Sequence, residues 1–332
     1  MGESVVAILK NTLVAVTGLL VGVVLLGGLA PPPDDPWYAA ADALRPDCEV
    51  MFIGPSYVNS QVFPDVVDAE AREHNVEFKS CKLSRTAMKG YEIKRELSLV
   101  LSKSWPKLKL VVIDVTLGAD NRFSEKNDYT SRILRWHTWD FGPWYLNHIW
   151  GERFKGNPKF DLVRRLVRHS SHLVVNQLHV GHGAERLAAL HDVPERVPWG
   201  YKPPTTKKEK QKRKRLNKKR VRTLLERREL PQEPGEQADR GRWFRELRDE
   251  VRLHHVEADA LIAPVWRSNY VSPGFFPEAD PPVVHAFNDP ATYPRLYRHD
   301  AHTGSEHLSP LGSHQYSLLL GQALAQRMKQ LQ

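Results

Sequence analysis

Cysteine is almost absent from this 332-residue chain: Cys48 and Cys81 are the only two, too few to hold a small disulfide scaffold together. Folding must therefore rest on a hydrophobic core. The hydrophobic content of 41% is sufficient for one, which excludes wholesale disorder. No internal repeat is found, which excludes a solenoid or propeller. Net charge is also missing from most of the chain. The formal +9 resides in one stretch, Lys207–Arg220, with ten basic residues and one Glu, so the remainder is close to neutral. The pI of about 9.4 thus describes a local patch and not the whole surface.

Charge is lacking altogether between Asn11 and Pro33, where Leu13–Ala30 is nearly all apolar or small. About twenty helical residues at roughly 1.5 Å each cross the hydrocarbon core of a bilayer, so a transmembrane helix is expected over residues 11–30. Lys10 reaches one interface, and Pro31-Pro32-Pro33 ends the helix at the other. Lys10 and the α-amine on one flank, against Asp34 and Asp35 on the other, favour a cytoplasmic N-terminus and an extracytoplasmic domain. Gly28-Leu29-Ala30 resembles a signal-peptide cleavage site, but Pro31 directly after it opposes cleavage, so residues 1–36 read as an uncleaved anchor and linker.

Residues 37–332 read as one α/β domain. Five strands are expected, at Glu49–Gly54, Val76–Leu83, Leu108–Val115, Ala260–Val265 and Val283–Asn288. Helical patterns lie between them, at Val66–His74, Tyr91–Leu101, Lys159–Ser170, Glu185–His191 and Arg242–Val256, and a final helix is expected at Ser313–Met328. Continuous apolar strands alternating with helices predict a doubly wound parallel sheet. In such a sheet Cys48 begins the first strand and Cys81 lies near the end of the second. About five residues then separate them, or roughly 16 Å, against the 7 Å or so that a disulfide allows, so two free thiols are expected. Residues 203–240 break the composition and read as a flexible, partly helical basic insertion with hardly any apolar residue in its first half.

Two spots carry the chemistry. Gly54-Pro55-Ser56-Tyr57 follows the first strand, where ligands of open α/β sheets bind. A serine on such a turn presents its hydroxyl to a pocket, although most serines there only cap a helix. At the other chain end, Asp300, His302 and His307 lie in the loop before the last helix, on the same sheet edge. A nucleophilic serine needs a base within hydrogen-bond reach and a carboxylate that fixes the imidazole tautomer, and these residues supply both types. His299, Asp300, His302, Glu306 and His307 are also metal-ligand types, but they follow no ligand spacing, and neither metal nor cofactor is expected. His179 and His182 read as structural. Tyr129–Asp140 mixes Trp136 and Trp139 with Arg132 and Arg135, which suits a sugar or acidic polymer as well as an amphipathic lid helix.

These blocks resemble the SGNH (GDSL-like) hydrolase superfamily, particularly its membrane-anchored envelope members. IGPSYVNSQVFP resembles the family's serine block, TAMKGYE its glycine block, Leu117–Asn121 its asparagine block and the segment Phe287–Gly312 its final block. The resemblance implies Ser56 as nucleophile, His307 as base with His302 as the alternative, and Asp300 as the orienting carboxylate. It implies oxyanion donors at Gly90 and Asn121. Two departures stand out: the third block reads Gly118-Ala119-Asp120-Asn121, and the position three before His307 is Gly304. Treating residues 302–305 as an excursion rejoins Asp300-Ala301 to Glu306-His307. The implied activity is that of a serine esterase or O-acyltransferase on an acylated envelope glycan or lipid. The alternative is a non-catalytic relative that binds or assembles in the envelope. Lys207, Lys208, Lys210, Lys212, Arg213, Lys214, Arg215, Lys218, Lys219 and Arg220 are candidate anion-binding residues for anionic lipid or an acidic polymer. Without interleaved aromatics or glycines the run does not suit nucleic acid.

Overall fold

The computed structural model describes residues 41–84, 88, 90–116, 167, 171, 207–228, 234–265, 283–302 and 307–332. Apart from Val167 and Ser171, these belong to one compact unit, Pro36–Arg122 with Val197–Gln332. In chain order the elements are β1 (Val50–Gly54), α1 (Ser56–Gln61), α2 (Pro64–Glu73), β2 (Ser80–Ser84), α3 (Gly90–Leu101) and β3 (Leu110–Asp114). They continue with α4 (Lys207–Arg228), α5 (Pro234–Arg252), β4 (Glu257–Ile262), β5 (Val284–Ala286), a 3-10 turn (Pro294–Tyr297) and α6 (Pro310–Leu331). The predicted membrane helix 11–30, the pattern Glu185–His191, all but Val167 of Lys159–Ser170, and the cluster 129–140 lie outside the described residues. Among those described, no helix is long and apolar enough to cross a membrane.

The sheet is parallel throughout, in the order β2-β1-β3-β4-β5. Every residue of β1 and β3 is buried, as expected of strands covered on both faces. Their alternation divides the core in two. Met51, Ile53, Val111 and Ile113 pack with Leu97 of α3 and with Phe244, Leu247 and Val251 of α5. Phe52, Leu110 and Val112 pack with Val58 of α1, Val67 of α2 and Tyr316, Leu320 and Leu324 of α6. With helices on both faces, the α/β reading from periodicity holds. β1, β2, β3 and β5 are shorter than expected, β4 begins and ends three residues earlier than expected, and α1 had no signal because six residues are too few to display a helical period.

One expectation is corrected. Cys48 and Cys81 form a disulfide, with Cα atoms 5.6 Å apart. β2 starts only at Ser80, so Cys81 lies near its beginning and pairs in register with Met51. The chain bends at Glu49 just before β1, which brings Cys48 back towards that level. The separation along straight strands therefore never develops. The basic segment, expected to be partly helical, is helical over most of its length, and its last residues belong to the next helix. Residues 207–228 form the continuous helix α4, and Pro234 onward already belongs to α5, which packs on the sheet. The apolar residues Val221 and Leu224, one turn apart, seat the end of α4 on the α6-side core, and Leu224 is buried. Asn217 Nδ2 donates to the carbonyl of Tyr297 at 2.8 Å. Charge dominates the composition here, yet Val221, Leu224 and Asn217 tie the helix to the domain.

Candidate functional site

The site is built where α1 leaves β1 and α6 begins. Two residues before Ser56, Gly54 ends β1 against β3. A Cβ there would come within 2.6 Å of Asp114 Cβ and 2.8 Å of Val58 Cγ2, so only glycine allows the strand to turn this tightly into α1. The far end of α1 is fastened from two sides. Lys82, on β2, donates to the carbonyls of Asn59 (2.7 Å) and Val62 (3.0 Å), satisfying acceptors that the helix end leaves open. Burial lowers the pKa of this ammonium. From α6, Ser317 Oγ donates to Gln61 O (3.3 Å) and accepts from Phe63 N (2.9 Å), while Ser313 Oγ donates to Ser60 O (3.4 Å).

The N-terminus of α6 positions the late loop. Ser309 is the N-cap, accepting from Gly312 N at 3.2 Å, with Pro310 in the first turn. Its hydroxyl also donates to Asp300 O at 2.5 Å, and its N–H donates to Ala301 O at 2.8 Å. Gly312 lies so close beneath this loop that a Cβ would meet Ala301 O at 2.1 Å.

Within this frame the sequence-predicted residues separate. Ser56 is half-buried at the first position of α1, whose N-cap is Pro55, and no side chain caps the helix. The ordinary capping role of a serine in this place is therefore unoccupied. His307 comes from the other chain end onto the same helix: its ring centroid is 5.3 Å from that of Tyr57, and its Nδ1 is 3.2 Å from Gln61 Nε2. The two groups thus reach one six-residue helix, though no hydrogen bond joins Ser56 to His307. Asp300 is not with them. Its carboxylate accepts from Arg298 Nε (3.2 Å) and Nη2 (2.9 Å), facing back along its own loop. A guanidinium two residues away offers this carboxylate a two-pronged partner.

His302, the alternative base, is 3% exposed and lies 5.9 Å from the Tyr297 ring, in a short bridge to Leu308. Burial pushes its pKa down to about 3, which makes it a poor proton acceptor near neutral pH. Gly90 opens α3 beyond the same sheet edge, and its carbonyl accepts from Trp243 Nε1 at 3.2 Å. Asn121, Gly304 and Glu306 lie outside the described residues. Sequence reading missed Gln61, which is fully buried. Its only sequence signal was a position five residues after the serine.

A buried acid, also not foreseen, sits beside Gly54, two residues before Ser56. Asp114 ends β3, Oδ1 accepts from Thr116 N at 2.7 Å, and Oδ2 has no partner among the described residues. Burial raises its pKa to about 6, against smaller lowering effects from Thr116 and Arg240. Tyr316, whose hydroxyl is likewise unpartnered, has its own pKa raised by burial and by the nearby Asp114. A carboxyl with a raised folded pKa holds its proton in the fold after losing it in the unfolded chain. Ionisation therefore costs stability as pH rises from about 4 to about 6. That window corresponds to about 3 kcal/mol. Asp114→Asn is expected to flatten it, leaving the protein more stable than wild type at pH 7 and equal to it at pH 4. Urea unfolding at both pH values provides the check. Compared with family models, curated proteins and solved structures, the chain matches none of them.

Proposed function

We propose that this protein is an SGNH-like serine esterase or O-acyltransferase, anchored to the membrane by residues 11–30. One observation carries the reading. The early Ser56, free of any capping duty, and the late His307 share helix α1 at the carboxyl edge of a parallel sheet. In an order of β2-β1-β3-β4-β5, the strand order reverses between β1 and β3, where ligands of such folds bind.

In this mechanism Ser56 Oγ attacks an ester carbonyl as His307 accepts its proton. The alkoxide of the substrate leaves with that proton, and the acyl group remains on Ser56. Water or a sugar hydroxyl then attacks the acyl-serine, His307 again relaying the proton, to release an acid or a new ester. The N–H groups of Ser56 and Gly90, with Asn121, are the oxyanion donors in this reading. The substrate class is an acylated envelope glycan or lipid. Exposed Lys212, Lys214, Arg215, Lys218 and Lys219 of α4 support an acidic surface, anionic lipid or polymer, as neighbour. The disulfide supports an oxidising, extracytoplasmic compartment.

The Asp300–Arg298 pair favours the second reading, a non-catalytic envelope protein of the same fold. A fluorophosphonate probe decides between them. Covalent labelling of the wild type, abolished in Ser56→Ala, is the result expected of the enzyme. A wild type that stays unlabelled sinks it.

A further inference from the structure

Behind the His307 imidazole stands a side-chain carboxamide. His307 Nδ1, the ring nitrogen that a triad turns towards its orienting acid, faces the side-chain amide of Gln61 at 3.2 Å. Gln61 is wholly buried, and its Oε1 has no partner among the described residues. Its backbone is fixed as well, since Gln61 O accepts from Ser317 Oγ and the end of α1 is held by Lys82. Tyr57, one helical turn earlier, lies against the imidazole, so the ring rests on a rigid two-residue cradle.

From this we infer that Gln61 is the positioning residue of His307, an inference that rests on the serine-enzyme reading above. A carboxamide serves both tautomers of the ring. Its N–H donates to a bare Nδ1. After a half-turn of the amide, Oε1 accepts from Nδ1–H and leaves ring Nε2 bare as the base. The second arrangement is the one catalysis uses, and it persists when the ring takes the serine proton, because both ring nitrogens then donate. A neutral amide orients the imidazole without the charge stabilisation a carboxylate supplies. The base should therefore be correctly aimed yet weaker than in an acid-backed triad. The unpartnered Oε1 is consistent with an amide that has room for either orientation.

The experiment uses the full chain in neutral detergent, with Gln61→Glu and Gln61→Leu beside wild type. It reads the fluorophosphonate labelling rate against pH and the His307 titration by NMR. A carboxylate at Nδ1 favours the imidazolium, so Gln61→Glu is expected to raise the His307 titration and the acid limb of the rate profile together, by about 1–3 pH units. Above that limb, labelling should match or exceed wild type. Gln61→Leu is expected to label about 100-fold more slowly through loss of aim, with circular dichroism unchanged. If the wild type labels, but neither the titration nor the rate limb moves in Gln61→Glu while Gln61→Leu keeps its rate, the positioning role is wrong and the serine reading stands. If the wild type does not label, the serine reading falls, and the positioning role falls with it.

Discussion

Arg327→Met is expected to lower the unfolding free energy by about 3–5 kcal/mol, and adding Asp259→Leu should return most of that loss. Asp259 points from β4 towards α6 and is wholly buried. Arg327 Nε donates to both carboxylate oxygens, at 3.2 and 3.0 Å, and His285 Nε2 lies 3.0 Å from Oδ2. The three residues join β4, β5 and the far half of α6 on the sheet face away from α5. Removing the guanidinium leaves a desolvated carboxylate with only an imidazole beside it, and the uncompensated charge dominates the cost. Removing the carboxylate as well replaces two desolvated charges by apolar volume, which is nearly neutral in comparable interiors. Urea unfolding of wild type, single and double variants measures this directly. An unchanged m-value would show that the effect lies in stability and not in the extent of unfolding. A double variant no better than the single would mean that shape, rather than charge, sets the cost.

Loss of the disulfide should be of similar size. Cys48 and Cys81 are separated by 33 positions, and the loop they close carries β1, α1 and α2. Freeing a loop of that length in the unfolded chain costs roughly 3.5–4 kcal/mol on loop entropy alone. Both sulfurs belong to the core beside Met51 and Leu83, so Cys48→Ala with Cys81→Ala keeps apolar side chains in place while removing the link. The expected result is a lower urea midpoint in the double variant, matched by wild type under reductant and unchanged by further reductant in the variant. Equal midpoints for wild type with and without reductant would show that the bridge contributes nothing to the fold's stability.

How much of this was legible beforehand depends on the range of the interaction involved. Val50–Gly54 and Leu110–Asp114 are strands because their side chains are apolar on both faces, a local pattern that any chain position exposes to inspection. The inner faces of α5 and α6 were equally visible, since Phe244, Leu247 and Val251, or Tyr316, Leu320 and Leu324, recur at helical spacing and are buried as that spacing requires. Ser56 and His307 could be named because each sits at a recognisable junction, one after the first strand and one before the last helix.

What failed concerned direction and reach. The family resemblance implied Asp300 for the imidazole, yet its carboxylate pairs with the neighbouring Arg298, and Gln61, 246 positions away from His307, faces the ring nitrogen. Extrapolation along strands kept Cys48 and Cys81 apart until a bend at Glu49 and a late start to β2 brought them together. A run of charge concealed the two apolar residues that seat α4. The sequence by itself determined the layers, the sheet and the two chain regions that meet at its carboxyl edge, because hydrophobic periodicity acts over a few residues. Only the tertiary structure decided which polar atoms face one another. Hydrogen bonds and ion pairs act over about 3 Å, and which groups come that close depends on how distant segments pack.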